Sequence, residues 1–79
     1  MTYEEFQAQV ETLTLTIKTI VEHEGNIPSF PNTNYSLDVC ECVAEITGMH
    51  ETWVKMFNRK FREDAVKVCF EISRSKVAA

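Results

Sequence analysis

Apolar residues near the N-terminus recur every three or four positions, which is the spacing of one face of a helix. A capping pair, Thr2 and Glu5, precedes this pattern, and Gly25 follows it, as is typical of a helix end. The pattern predicts a long helix over residues 3–24 and a loop over residues 25–35. The helix would carry one apolar stripe that includes Phe6, Val10, Leu13 and Ile17.

Two segments also fit a strand. The letters TLTLTIKT alternate polar and apolar residues, and threonine favours strands. We prefer a helix because the longer spacing continues N-terminal to this segment. Residues 64–74 have the same ambiguity: Val66, Val68, Phe70 and Ile72 fit a strand, whereas Ala65, Val68, Cys69 and Ile72 fit a helix. The absence of Gly and Pro favours a C-terminal helix over residues 64–76, with a short wing strand as the alternative.

The central region predicts a helical corner over residues 37–62. Ser36 is a favourable N-cap, and Gly48 interrupts the helix that it begins. With only 79 residues, the chain is expected to form one domain. The predicted fold is therefore all-α, a small bundle of three to four helices with a long N-terminal helix.

Residues 40–59 carry the spacing of a helix-turn-helix. Ala44 is the small residue that lets a second helix cross closely, and Gly48 is the turn residue. This segment resembles the helix-turn-helix DNA-binding family of phage repressors and their bacterial relatives. An αα-corner that does not bind DNA uses the same chemistry and is the alternative. The buried contacts of the motif would come from Val43, Met49, Val54 and Phe57.

The resemblance implies that helix 51–62 is a recognition helix lying in the major groove of double-stranded DNA. Single corners bind weakly, so a homodimer is expected, and the apolar stripe of the first helix would be its surface. Glu41 and Glu45 depart from the family pattern because they place negative charge where phosphates would pass. The residues expected to contact DNA are His50, Thr52, Lys55, Met56, Arg59, Lys60 and Arg62.

Charge is distributed unevenly along the chain. Residues 1–51 contain nine acids and one lysine, a net charge of −8, whereas residues 52–79 contain seven bases and three acids, a net charge of +4. Such a division is a hint of a polyanion partner. It is equally explained by two halves that pack together and neutralise each other.

A helical protein–protein interaction module, an adaptor or an inhibitor, is the second functional interpretation. Several residues of the types enriched in interface hot spots cluster in the C-terminal half, although filling of the core explains them too. The residues in question are Trp53, Met56, Phe57 and Phe61. For this interpretation we expect contacts from Trp53 and from the apolar stripe Phe6, Val10, Leu13 and Ile17.

Other functional classes are not expected. The two-residue separation of Cys40 and Cys42 is not that of a zinc knuckle, and no residue is arranged to orient a Cys–His nucleophile. We therefore predict no enzyme activity, no metal and no cofactor. No apolar run is long enough to span a membrane, and the acidic N-terminus is unlike a signal peptide. The odd number of cysteines agrees with a cytoplasmic protein.

Overall fold

The computed structural model describes residues 1–26, 34–48 and 54–78, with side chains as far as residue 76. Within these ranges the chain forms helices and no strand, so the prediction of an all-α fold is confirmed. None of the described helices is long and apolar enough to cross a membrane. The elements are α1 (Tyr3–Glu24), α2 (Leu37–Gly48), a 3-10 turn (Lys55–Phe57) and α3 (Arg59–Ala78).

Helix α1 begins and ends where the sequence predicts. The Thr2 hydroxyl oxygen accepts a hydrogen bond from the Glu5 N–H at 3.2 Å. At the other end, Gly25 has a φ of 77°, and its N–H donates to the Val21 carbonyl at 2.7 Å. A residue with a side chain would be strained in this left-handed conformation, which explains why glycine ends the helix.

The threonine-rich segment of α1 is helical despite its strand-like alternation. Leu13 and Ile17 are buried, but Leu15 is 58% exposed, so burial follows the helical spacing of four residues and not the strand spacing of two. Threonine hydroxyls are satisfied inside the helix by donating to carbonyls four residues earlier. These bonds are made by Thr12, Thr16 and Thr19, at 2.9–3.0 Å.

Helix α3 differs from the prediction at its start. Asn58 has an extended backbone (φ −82°, ψ 120°), and its Oδ1 accepts from the N–H groups of Lys60 and Phe61 at 3.0 and 3.3 Å. Asn58 is therefore the N-cap of α3, and a continuous helix over residues 51–62 is wrong. The C-terminal helix begins at Arg59 and not at residue 64, and its helical state through residue 74 excludes the wing strand.

The three helices pack around one core. Ser73 donates to Asp38, and Cys42, one turn further along α2, lines the same groove as Cys69, one turn back along α3, so the two helices are antiparallel. Aromatic contacts join α1 to α3, since the Phe70 ring centroid lies 5.4 Å from the rings of both Tyr3 and Phe6. The buried apolar residues are Phe6, Val10, Leu13, Ile17, Val39, Cys42, Val43, Ile46, Met56 and Val66.

The predicted dimer surface is part of this core. Phe6, Val10, Leu13 and Ile17 are all buried against α2 and α3 within one chain. A domain of this size has few apolar residues to bury, so its longest stripe is taken up by its own fold. The expectation that this stripe contacts a second copy or another protein is therefore wrong.

Candidate functional site

The residues expected to contact DNA do not form one exposed helical face. His50 and Thr52 lie outside the described residues, as does Trp53. Met56 is fully buried in the 3-10 turn, so its predicted contact with DNA is wrong. The physical reason is that the short turn before Asn58 directs this unbranched side chain into the core, where a continuous helix would have directed it outward.

The remaining predicted bases stand on both sides of Asn58. Lys55 is exposed in the 3-10 turn. On α3, the Nε of Arg59 lies 3.0 Å from Glu63 Oε1, and the Nζ of Lys60 lies 3.3 Å from Asp64 Oδ1. These exposed pairs add little stability. They nevertheless reduce the positive potential that the first turn of α3 presents to a polyanion.

The described aromatic residues of the predicted interaction surface contribute to the core. Phe57 and Phe61 are half-buried and pack against the core cluster. The Lys18 ammonium lies 5.3 Å from the Phe57 ring centroid, within the range of a cation–π contact. Phe57 and Phe61 consequently do not form an open aromatic surface.

Helix α3 instead exposes an aliphatic pair on its other side. The helical spacing of Ala65, Val68, Cys69 and Ile72 predicts that they share a packed face, but Val68 is 56% and Ile72 is 48% exposed. Val66, which is not a member of that helical set, is buried. The contacts of Phe70 with α1 explain this orientation, because Phe70 and Val66 lie one turn apart on the same side. We call Val68 and Ile72 the outer stripe of α3.

A row of acids on α2 faces the same side of the molecule. Asp38, Glu41 and Glu45 are spaced three and four residues apart, which aligns them along one face of a helix. Together with α3 they border a shallow groove with a cavity volume of about 50 Å³. We call it the α2–α3 groove. It is lined by Asp38, Glu41, Cys42, Glu45, Cys69, Ile72, Ser73 and Lys76.

Two polar contacts cross the groove. The Ser73 hydroxyl donates to Asp38 Oδ2 at 2.6 Å, and the Lys76 ammonium donates to Glu41 Oε2 at 3.3 Å. The lining therefore holds three carboxylates against one ammonium group, a net charge of −2. Within the described part of the chain, Glu45 has no ion pair. The groove thus combines unneutralised negative charge with a neighbouring apolar strip.

Two thiols lie at the floor of the groove. Cys42 of α2 and Cys69 of α3 both line the groove. Interaction with the Cys69 side chain, assisted by burial, raises the pKa of Cys42. The same interaction lowers the pKa of Cys69, against the opposing effects of burial and of the Glu45 carboxylate. Cys40 points elsewhere, with its sulfur 4.0 Å from the Tyr35 carbonyl oxygen.

The cysteines and acids do not form a metal site in the described ranges. No group of three or more His, Cys, Asp or Glu side chains there is arranged to hold a metal ion. Cys40 and Cys42 diverge as their separation on a helix requires, because two residues correspond to about 200° of rotation. The chemistry that the groove offers is therefore apolar contact, carboxylate pairing and thiol reactivity.

Comparison of the chain with models of protein families, with curated proteins and with solved structures finds no match. The α2–α3 groove was missed by the sequence analysis, although both of its walls have a signal in the sequence. The acids are aligned at helical spacing, and Val68 and Ile72 are one turn apart. Only the orientation of α3 identifies that aliphatic pair as exposed.

Proposed function

We propose that this protein is a non-enzymatic interaction module whose α2–α3 groove binds an amphipathic helical segment of another protein, one that carries Lys or Arg beside its apolar residues. The observation that carries the proposal is that the exposed Ile72 lines the same groove as the acid row of α2, with the exposed Val68 one turn before it on α3. Partners of this kind dock by laying an apolar helical face into a groove.

The apolar component comes from Val68 and Ile72. Each is about half exposed, so covering both would bring roughly 1 kcal/mol apiece, from the magnitude for complete burial of an aliphatic side chain. Their separation of one helical turn matches a partner with aliphatic anchors four residues apart. The groove is shallow, so the partner would lie along it and would not insert deeply.

The negative charge of the groove favours a positively charged partner. Glu45 is without an ion pair in the described residues, and the Glu41–Lys76 pair is exposed at both side chains. A Lys or Arg of the partner could pair with Glu45 and compete with Lys76 for Glu41. Such complementarity contributes mainly to specificity and to the rate of association, and it weakens as salt is added.

Binding of double-stranded DNA through a helix-turn-helix remains the competing prediction. Four exposed or half-exposed bases near the start of α3 support it: Lys55, Arg59, Lys60 and Arg62. The interruption at Asn58, the buried Met56 and the two ion pairs of α3 favour the protein-binding interpretation. A homodimer and a cytoplasmic location likewise remain predictions.

The test is a titration with defined probes. We would follow the fluorescence anisotropy of a labelled helical peptide with leucines at positions i, i+4 and i+7 flanked by lysines. A second peptide would have the same leucines flanked by glutamates, and a third probe would be a mixed-sequence DNA duplex. The proposal expects saturable binding of the lysine peptide alone, weakened by salt.

Matched variants locate the binding surface. Val68→Ser with Ile72→Ser should weaken the lysine peptide by roughly tenfold or more, since about 2 kcal/mol of burial is lost. Leu15→Ser, at an apolar residue of α1 with similar exposure, should have no effect. Glu45→Lys should weaken binding, whereas Glu22→Lys on α1 should not.

Three outcomes would overturn the proposal. These are equal binding of the two peptides, binding that is insensitive to substitution of Val68 and Ile72, and no binding of either peptide. If DNA alone binds and Arg59→Ala weakens it by about 1–3 kcal/mol, the helix-turn-helix prediction is supported instead. Sedimentation at increasing concentration would reveal whether a second copy occupies the groove.

A further inference from the structure

The thiols of Cys42 and Cys69 are matched across the two antiparallel helices. Cys42 lies one turn after Asp38 on α2, and Cys69 lies one turn before Ser73 on α3. The 2.6 Å hydrogen bond between Ser73 and Asp38 is therefore the neighbouring cross-helix contact, and it holds the two helices in register beside the thiols. The two cysteines therefore face each other across the groove that both of them line, and a disulfide with its S–S length of roughly 2.05 Å would form by approach of the two side chains.

Access to the two thiols is unequal. Cys42 is 2% exposed, whereas Cys69 is half-buried, and both border the α2–α3 groove. A reagent entering from the groove therefore meets Cys69 first. Interaction with Cys42 lowers the pKa of Cys69, which favours its thiolate, the form that attacks a disulfide.

We propose that Cys42 and Cys69 are a redox-active dithiol site whose substrate class is small-molecule disulfides. The Cys69 thiolate attacks one sulfur of the reagent, the reagent S–S bond breaks, and one thiol is released with a proton. Cys42 then loses its proton and attacks the Cys69 sulfur of the mixed disulfide, which releases the second thiol. The reagent disulfide is reduced to two thiols, and the protein dithiol is oxidised to a Cys42–Cys69 disulfide.

The bond would join α2 to α3 beneath the groove. It would close a loop that includes residues 49–53 and the 3-10 turn, and a cross-link of that kind restricts the unfolded chain. Oxidation should therefore raise the thermal midpoint by several degrees, and a reductant should restore the original value. This inference is independent of the proposed partner, since it depends on the two thiols alone.

The experiment uses the full chain under native conditions with oxidised glutathione as the disulfide. Samples are quenched with an alkylating agent and analysed by intact mass and peptide mapping. The expected product has lost two hydrogens and contains a peptide that links Cys42 to Cys69. With glutathione in excess, the first-order rate constant for forming this product should not depend on protein concentration, because the second step is intramolecular.

Variants separate the two steps. Cys42→Ser should stop at the mixed disulfide, with one glutathione unit on Cys69. Cys69→Ser should leave Cys42 unmodified, because the buried thiol is not reached by the reagent. Cys40→Ser is the matched control and should form the Cys42–Cys69 bond at the rate of the unmodified protein.

Circular dichroism would reveal a variant that fails to fold. In that case the result is decided by the protein without substitutions. A chain that stays fully reduced at Cys42 and Cys69 overturns the inference. So does glutathione addition confined to Cys40, and so does a Cys42–Cys69 bond that appears only after urea unfolds the protein.

Discussion

The apolar stripe of α1 and the outer stripe of α3 share the helical spacing of their residues but differ in what covers them. Leu13 and Ile17, one turn apart on α1, are buried against the other two helices. Val68 and Ile72, also one turn apart, are about half exposed, and Ile72 lines the groove beside the acids of α2. Spacing alone therefore identifies an apolar face, and the neighbouring helices decide whether that face becomes core or surface.

The sharpest test of the comparison uses two leucines of α1. Leu13→Ala should destabilise the protein by about 2–5 kcal/mol, because it leaves a cavity in a fully buried site. Leu15→Ala, two residues later and 58% exposed, should change the free energy of unfolding by less than about 0.5 kcal/mol. Urea unfolding followed by circular dichroism measures both. Equal losses at the two sites would contradict the helical orientation of α1.

Two valines of α3 provide a corresponding test with a smaller effect. Val66→Ala removes a buried side chain and should destabilise the protein by about 1.5–3 kcal/mol. Val68→Ala should leave the free energy of unfolding unchanged within about 0.5 kcal/mol, since the site is 56% exposed. The same urea unfolding experiment applies. If Val68→Ala were the more destabilising of the two, α3 would have to be rotated and its outer stripe would belong to the core.

The buried side of α1 also contains an orphan hydroxyl. Thr14 is 1% exposed, and its Oγ1 has no hydrogen-bond partner in the described structure. Thr14→Val removes the unsatisfied group with little change of shape and should stabilise the protein by about 1 kcal/mol. Thr16→Val is the control, because the Thr16 hydroxyl donates to the Thr12 carbonyl at 3.0 Å. A thermal midpoint that rises for Thr14→Val and not for Thr16→Val supports an unsatisfied hydroxyl at Thr14. A midpoint that falls for Thr14→Val would contradict it.

The difference between the two stripes also bears on the function. Loss of core residues would abolish any binding by unfolding the protein, whereas loss of the outer stripe should weaken binding and leave stability unchanged. The pair Val68→Ser and Ile72→Ser therefore separates a binding surface from a structural one. If the protein instead binds DNA through a helix-turn-helix, those two substitutions should leave DNA affinity unchanged and Arg59→Ala should weaken it.

Much of the fold is predictable because its signals are local. Thr2, Gly25 and Ser36 have side chains or backbone freedom that satisfy helix ends, and each acts within one turn of its own position: the Ser36 hydroxyl, for example, accepts from the Val39 N–H at 3.3 Å. Asn58 carries a signal of the same kind. The prediction of a continuous helix over residues 51–62 did not take Asn58 into account and followed the helical spacing of Trp53, Phe57 and Phe61 alone.

The candidate site was harder to predict because it depends on the relative orientation of helices. Met56 was predicted at the surface and the stripe of α1 at an interface, and both are in the core. Glu41 and Glu45 stood out in the sequence only as departures from a DNA-binding pattern. Their position beside α3 follows from packing between residues about 30 positions apart, which no local pattern encodes.

The sequence by itself determined that the chain is helical, where α1 begins and ends, and which residues can share a helical face, because these properties depend on bonds and spacings within one helix. The tertiary structure decided which face is buried. Phe70 packs against α1, and α3 therefore orients Val66 inward and Val68 outward. The same orientation brings Cys69 to Cys42 and leaves an aliphatic surface beside a row of carboxylates.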